Sequence, residues 1–348
     1  MPPGHSTFHL PPEWERQSAV MLTWPHAHSD WRPWLAEVEP VFVAIAHAVA
    51  EREQVIITAY DAAHLAHIST LLQRAGVALG RVHLHIAPSN DTWVRDHGPI
   101  TVTKNGAPLL LDFIFNGWGD KFDATLDNEL IRRLHAQGAF GATPLTSIDF
   151  VLEGGSIEVD GAGSLLTTER CLLSPQRNPA LNRAAIETRL HEWLGVERVL
   201  WLAHGYLAGD DTDSHIDTLA RFCSPGTICY VACDDAQDEH YAELKAMEQE
   251  LQALRSAAGV PYRLIPLPWP QAKYGDDGRR LPASYANFLI INGAVLAPTY
   301  DDPADNAALV RLKTCFPDRV IIAIPCLPLI RQYGSLHCVT MQLPADVL

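Results

Sequence analysis

Apolar positions along the chain recur with two different periods, and the alternation between them predicts the architecture. Residues 61–76, DAAHLAHISTLLQRAG, place Leu65, Ile68, Leu72 and Ala75 on one helical face, with Asp61 as N-cap and Gly76 as terminator. Asn178-Pro179 open a second predicted helix that runs to Gly195 on Leu181, Ile186, Leu190 and Trp193-Leu194. Further helical patterns lie near 37–51, 126–137, 237–256 and 303–315. Short β-rich runs at 55–59, 82–87, 147–152, 199–202, 263–267 and 320–324 follow these helices, and additional strands fit 100–114, 155–167, 227–233 and 286–298. The chain therefore reads as an α/β protein.

Five times in this order a helix leads to a strand and a polar loop follows. Those loops carry Asp96, Glu153, His215, the stretch 273–287 and Cys338. No residue-level repeat accompanies the recurrence. It fits either a pseudo-symmetric assembly of one supersecondary unit or an ordinary doubly wound sheet.

Composition narrows the function. The 348 residues are 47% hydrophobic and 19% charged, which suits a folded chain with a sizeable core. No low-complexity block or Gly/Ser linker divides residues 1–348, so a single domain is expected. Lys+Arg 26 against Asp+Glu 41 gives a net charge of −15, which disfavours nucleic acid or an anionic membrane and suits a small cationic substrate. The N-terminal stretch MPPGHSTFHLPPEWERQ has neither a basic nor an apolar signal region, and no stretch is read as approaching the length of a membrane span. Seven cysteines, an odd number without C-x-x-C spacing, read as reduced thiols in a cytoplasm. The sequence is compatible with a monomer or a homo-oligomer.

Phosphate-loop, dinucleotide, zinc-protease and serine-elbow motifs are all missing from the sequence. Four polar clusters remain. In NDTWVRDHGP, residues 90–99, Asp96 could hold a cation and Trp93 could cover it as a cation–π face; a structural turn is the alternative. EGGSIEVDGAG, 153–163, puts Glu153 at a strand end before glycines that permit close backbone approach, or forms an ordinary hairpin. In GDDTDSHIDTLARF, 209–222, an extended backbone would send His215 and Asp217 to one side. A metal site is a competing reading there, although no other His or Cys has ligand spacing nearby. In YGSLHCVT, 333–340, Cys338 sits in a loop before the last strand; His337 would face away from it, which leaves His215 as the better acid–base group.

Taken together, the clusters resemble the agmatine deiminase family, which also includes bacterial peptidylarginine deiminases. The resemblance runs from PPEWERQSAVMLTWP through NDTWVRDHGP, EGGSIEVDG, HIDTLARF, SYANF and NGAVLAP to GSLHCVTMQLP, in order and over nearly the whole chain. It implies a pentein fold, five related α/β units around a pseudo-fivefold axis. It also implies a Cys338 nucleophile, a guanidinium gripped by Asp96 and Asp217, a Glu153 that orients His215, and a pocket lined by Trp93 and Asn287. No metal or other cofactor is expected.

Two departures stand out. QYGSLHC replaces the glycine-rich GGGNIHC of many relatives, and Asp213-Ser214 replaces a glycine pair before HID. The far end of the substrate is where these changes fall. Asp211, with Asp210 and Asp213, could attract the amine of agmatine; Arg331 would be the partner for the carboxylate of free arginine. Free or peptidyl arginine remains an alternative substrate. A non-catalytic binding protein is disfavoured because binding needs no thiol. A cysteine amidase is disfavoured because paired carboxylates would repel its oxyanion.

Overall fold

The computed structural model describes residues 8–348, and among these residues one supersecondary unit occurs five times. Each unit is an antiparallel strand pair, a crossover helix and a third strand parallel to the second. In one unit Ile100–Lys104 pairs with Ala107–Ile114, the helix Asp127–Ala136 crosses over, and Leu145–Val151 lies parallel. The next uses Glu158–Val159, Ser164–Thr168, helix Arg183–Leu194 and Arg198–Leu202. Ala220–Ser224, Thr227–Val231, helix Tyr241–Ala253 and Arg263–Leu267 repeat the pattern. So do Leu289–Ile291, Ala294–Thr299, helix Asp305–Cys315 and Val320–Pro325.

The remaining unit is assembled from both ends of the chain. Met341–Pro344 pairs antiparallel with Gln17–Thr23, helix Leu35–Ala50 crosses over, and Gln54–Ala59 lies parallel, with Val82–Ile86 added beyond it. No sheet among the described residues exceeds four strands. The doubly wound alternative, one continuous sheet, is therefore overturned.

Local sequence explains the joints. The hairpin 100–114 turns at Asn105-Gly106, whose φ values of 53° and 83° are those a two-residue I′ turn requires. Asp61 caps its helix as expected, its carboxylate accepting from the His64 N–H at 2.8 Å, and Gly76 follows the helix end at φ 72°. The second predicted helix begins later than the sequence suggested. Asn182, not Asn178, caps it by accepting from Ala185 N–H at 3.0 Å, whereas Asn178 is engaged with the Val151 backbone.

The expected strand at 155–167 starts only after a 3-10 turn at Gly154–Ser156 and divides into the antiparallel pair Glu158–Val159 and Ser164–Thr168. The segment before Leu219 is likewise a 3-10 turn, Ile216–Thr218, rather than an extended strand. The expectation about membrane-length segments also needs amending. Arg32–Ala50 is long and apolar enough to cross a membrane by length and composition. In this fold, however, Val38, Val41, Phe42, Ile45 and Val49 are buried in the protein core. Side chains of this kind stabilise the fold by about 1.5–3 kcal/mol each when fully buried.

Candidate active site

The turn before the first strand of each unit carries a polar residue, and four of these turns bring their side chains to one point. Asp96 lies on the short helix Val94–His97, Glu153 and Gly155 on the turn before Glu158–Val159, and His215 and Asp217 on the turn before Ala220–Ser224. Cys338 lies just before Met341–Pro344. Gly155 marks the convergence. A Cβ built on it would stand 2.6 Å from His215 Nδ1, 2.8 Å from Asp96 Oδ1 and 3.2 Å from Asp217 Oδ2. Only hydrogen fits there, which gives the Gly-Gly of the second cluster a packing reason.

Both aspartates are buried, and their hydrogen bonds leave particular atoms free. Asp96 Oδ2 accepts from Trp118 Nε1 at 3.0 Å, and Oδ1 accepts from Gly155 N–H at 3.0 Å with His215 Nδ1 3.5 Å away. Asp217 Oδ2 is 2.8 Å from His337 Nδ1, while Asp217 Oδ1 and His215 Nε2 have no hydrogen-bond partner among the described residues. Buried polar groups without partners are costly in a folded interior, so these two atoms mark where a ligand's donors and acceptors are expected.

The thiol of Cys338 lies in the same cluster, 3.4 Å from Asn287 Oδ1 and 3.9 Å from Asp217 Oδ2. Asn287 Oδ1 also accepts from the His337 N–H at 2.9 Å. The Cys338 N–H also lies 3.4 Å from this oxygen, so Asn287 braces the Cys338 backbone and does not line the pocket as expected.

The pocket above these groups has a volume of about 550 Å³ out to its mouth. Trp93, Trp118, Phe122 and Tyr333 form its aromatic walls, and Asp30, Asp210 and Asp211 add carboxylates near Cys338, Asp96 and Asp217. Trp93 is held by close packing: any side chain at Gly334 would run into its ring. Arg331, expected as a carboxylate partner, does not line this space. Its guanidinium lies 3.5 Å from Glu37 and 3.4 Å from Asp276, and Gln332 and Tyr333 face the pocket in its place.

Electrostatics favour the neutral forms of Cys338, Asp96 and His215 but the ionised form of Asp217. Burial, then Asp217 and Asp96, push the Cys338 thiol well above its ordinary range. Burial, Asp217 and Glu153 likewise raise Asp96. Burial lowers His215 to about 3, so its imidazole is neutral at pH 7. For Asp217 burial acts upward, but the hydrogen bond and charge of His337 outweigh it and hold the carboxyl below its usual range.

Glu153 was expected to orient His215. Its carboxylate lies close to that ring but accepts from Arg177 Nε, at 2.8 and 3.0 Å, and His215 faces Asp96 instead. Arg177 also reaches Asp213 Oδ2 at 2.7 Å and Thr212 O at 2.8 Å, tying the acidic loop to Glu153.

This tether explains the replaced glycines. Asp213 and Ser214 have φ of 66° and 67°, a left-handed backbone costly for non-glycine residues. Arg177 and Lys121 hold the Asp213 side chain, and Asp210 Oδ2 accepts from Ser214 N–H at 2.6 Å. Tyr333, at φ 68°, repeats the pattern at the other departure and gains a ring contact with Arg279 at 5.5 Å.

Sequence reasoning also missed a buried charge network behind the site. His337 does face away from the pocket, but it bridges Asp217 to Glu13, with Nε2 2.7 Å from Glu13 Oε2. Arg221 donates to Glu13 at 2.9 Å and to Glu158 at 2.9 Å, and to the Phe288 carbonyl at 2.7 Å. Glu13 and Arg221 lay within quoted stretches, PPEWERQ and HIDTLARF, but only tertiary structure joins them. Each ring nitrogen of His337 faces a carboxylate, so the trio must share enough protons for both contacts to be hydrogen bonds.

A thiol beside two buried carboxylates and an imidazole, under an acidic aromatic pocket, is a site suited to a cationic planar group. Comparison places it. Residues 9–344 match the model of the Porphyromonas-type peptidyl-arginine deiminases, and the chain belongs to that family. Within that class, it is 36% identical over 366 residues to an agmatine deiminase of Stutzerimonas stutzeri, covering 99% of this chain and 97% of the relative. A Campylobacter jejuni agmatine deiminase solved with substrate bound is 38% identical, with TM-score 0.89 and coverage of 97% and 96%. A Porphyromonas gingivalis structure provisionally named an arginine deiminase is 53% identical, with TM-score 0.90 and coverage of 97% and 98%.

Proposed function

We propose that this chain is an agmatine deiminase, which hydrolyses agmatine to N-carbamoylputrescine and ammonia. One observation carries the reading: Asp217 Oδ1 and His215 Nε2 are buried without hydrogen-bond partners among the described residues, in the cluster where Asp217 Oδ2 lies 3.9 Å from the Cys338 thiol. A guanidinium supplies N–H donors for the free carboxylate oxygen and positive charge against the paired aspartates. The substrate's other end decides between relatives. The described pocket lining contains Asp30, Asp210 and Asp211 but no Lys or Arg, which suits the ammonium of agmatine better than the carboxylate of arginine.

The mechanism follows from the charges. Before substrate binds, Cys338 is a thiol and His215 is neutral. A bound guanidinium offsets the two aspartates and favours the thiolate, with the proton passing to His215. Sulfur attacks the guanidinium carbon and forms a neutral tetrahedral adduct. His215 returns its proton to the departing nitrogen, ammonia leaves, and an S-alkylthiouronium remains on Cys338. Water, deprotonated by His215, adds to that carbon. Collapse of the adduct breaks the C–S bond and releases the ureido product. Asp96 and Asp217 hold the planar group in line throughout. Glu153 and Arg177 position the loop that carries His215. Asn287 positions Cys338, and Trp93 covers the guanidinium.

The five repeated units agree with a pentein arrangement, one domain of five α/β units around a pseudo-fivefold axis. All seven cysteines are free, in keeping with a cytoplasmic enzyme acting on a small cationic guanidine. The test is ammonia and ureido release from agmatine, arginine and a blocked arginyl peptide, with Cys338→Ala in parallel. Agmatine is expected to give the highest kcat/KM, and the variant none. Turnover by Cys338→Ala would remove the mechanism, and a preference for arginine or the peptide would replace the substrate.

A further inference from the structure

Three cysteines outside the active site converge although the sequence scatters them. Cys223 lies at the register shift in Ala220–Ser224, Cys229 on the partner strand Thr227–Val231, and Cys315 at the end of helix Asp305–Cys315 in the following unit. Their sulfur atoms all lie within 4.8 Å of one another. Cys223 and Cys229 are buried, and Cys315 is partly exposed, so the cluster opens to solvent on one side. Arg263 and Arg311 direct positive charge toward Cys315. A buried cysteine is usually only a small apolar filler. Three from separate segments, in mutual contact and open on one side, satisfy a different requirement.

We propose that Cys223, Cys229 and Cys315 form a binding site for one thiophilic d10 cation, Zn²⁺ or Cu⁺. Soft thiolates select these ions. With Zn–S bonds of about 2.3 Å, tetrahedral ligands stand about 3.8 Å apart, so the three sulfurs need close by no more than about 1 Å. Cu⁺ is satisfied by three thiolates, whereas Zn²⁺ takes water as its fourth ligand from the exposed side. Binding displaces the thiol protons to solvent and changes no oxidation state. The site would clamp two adjacent units, since the helix ending at Cys315 packs against Arg263–Leu267 of the preceding one. A second group, Glu153, Cys171 and His215, is equally close but belongs to the active-site region, where Arg177 occupies Glu153.

The test uses reduced, metal-stripped protein. Zn²⁺ and Cu⁺ are each titrated against a chromophoric chelator, and Cd²⁺ is added for its thiolate charge-transfer absorbance. One ion per chain is expected in the wild type, in Cys338→Ala and in Cys171→Ser. Cys315→Ser and Cys315→Ala should lose the band and bind at least about tenfold more weakly, since even outer-shell changes cost that much. Cys315 ends a helix at the surface, so retained guanidine hydrolysis certifies that either variant is folded. Wild-type affinity in both Cys315 variants would overturn the proposal. So would loss of the band in Cys338→Ala or Cys171→Ser, or failure of the wild type to retain any ion.

Discussion

Replacing Gly155 with alanine isolates geometry from chemistry, because it removes no functional group. The backbone of Gly155 is not in the left-handed region, so alanine meets no conformational penalty there. Its methyl would stand 2.6 Å from His215 Nδ1 and 2.8 Å from Asp96 Oδ1, against about 3.4 Å for ordinary contact. His215 and Asp96 must together retreat by roughly 0.6–0.8 Å each, or the turn must move away and stretch the Gly155 N–H bond to Asp96. A displacement of about 1 Å costs roughly 100-fold in rate when reacting groups are held in line. Overpacking of a filled interior costs about 1–3 kcal/mol of stability. Gly155→Ala should therefore lower kcat/KM for agmatine by about 100-fold while the protein remains folded. Steady-state ammonia release, with chemical denaturation on the same samples, separates the two effects. Activity within about threefold of wild type would refute the idea that these side chains form one catalytic cluster.

Three other outcomes follow from the charges around the site. His337→Asn removes the hydrogen bond and charge that do most to hold Asp217 low, leaving burial opposed only by the more distant charges of His215 and Arg221. The Asp217 carboxyl should then titrate at higher pH, and the acid limb of kcat/KM should move upward in a pH–rate profile. In stability terms, the depressed Asp217 contributes above its unfolded pKa and loses that contribution as pH falls; the variant should lose stability near neutrality. Arg177→Met leaves Glu153 buried without its partner and frees the Asp213 loop, which should cost about 3–5 kcal/mol in denaturant unfolding. Finally, thiolate absorbance of Cys338 should appear only well above the ordinary thiol range in the free enzyme. A bound unreactive guanidinium should bring it downward, and identical titrations would remove the substrate-assisted step.

Much of this arrangement was legible because catalysis here uses residue types that stand out locally. Asp96, Glu153, His215 and Cys338 each lie in a short polar run beside a β-rich segment, and the recurrence of helix, strand and polar loop hinted at repeated units without excluding one doubly wound sheet. What remained hidden depends on tertiary pairing. Arg177 sits in an unremarkable SPQRNP stretch, yet it fixes both Glu153 and Asp213. Glu13 reaches His337 across nearly the whole chain. The side on which His215 and Asp217 lie was anticipated from an extended backbone, whereas a 3-10 turn delivers both to the cluster. Arg331 was singled out by proximity in sequence to Cys338, and one turn of backbone directs it elsewhere. Local pattern locates the chemistry; partners distant in sequence decide its charge.

The pairing of Met341–Pro344 with Gln17–Thr23 has a consequence for biosynthesis. Cys338 follows Asp96, Glu153, His215 and Asp217 in translation order, and it is anchored by a strand whose partner, Gln17–Thr23, is made before all of them. A nascent chain thus contains both aspartates long before it owns a nucleophile. Sulfur is anchored only when the last strand meets Gln17–Thr23, so turnover itself reports that this pairing has formed.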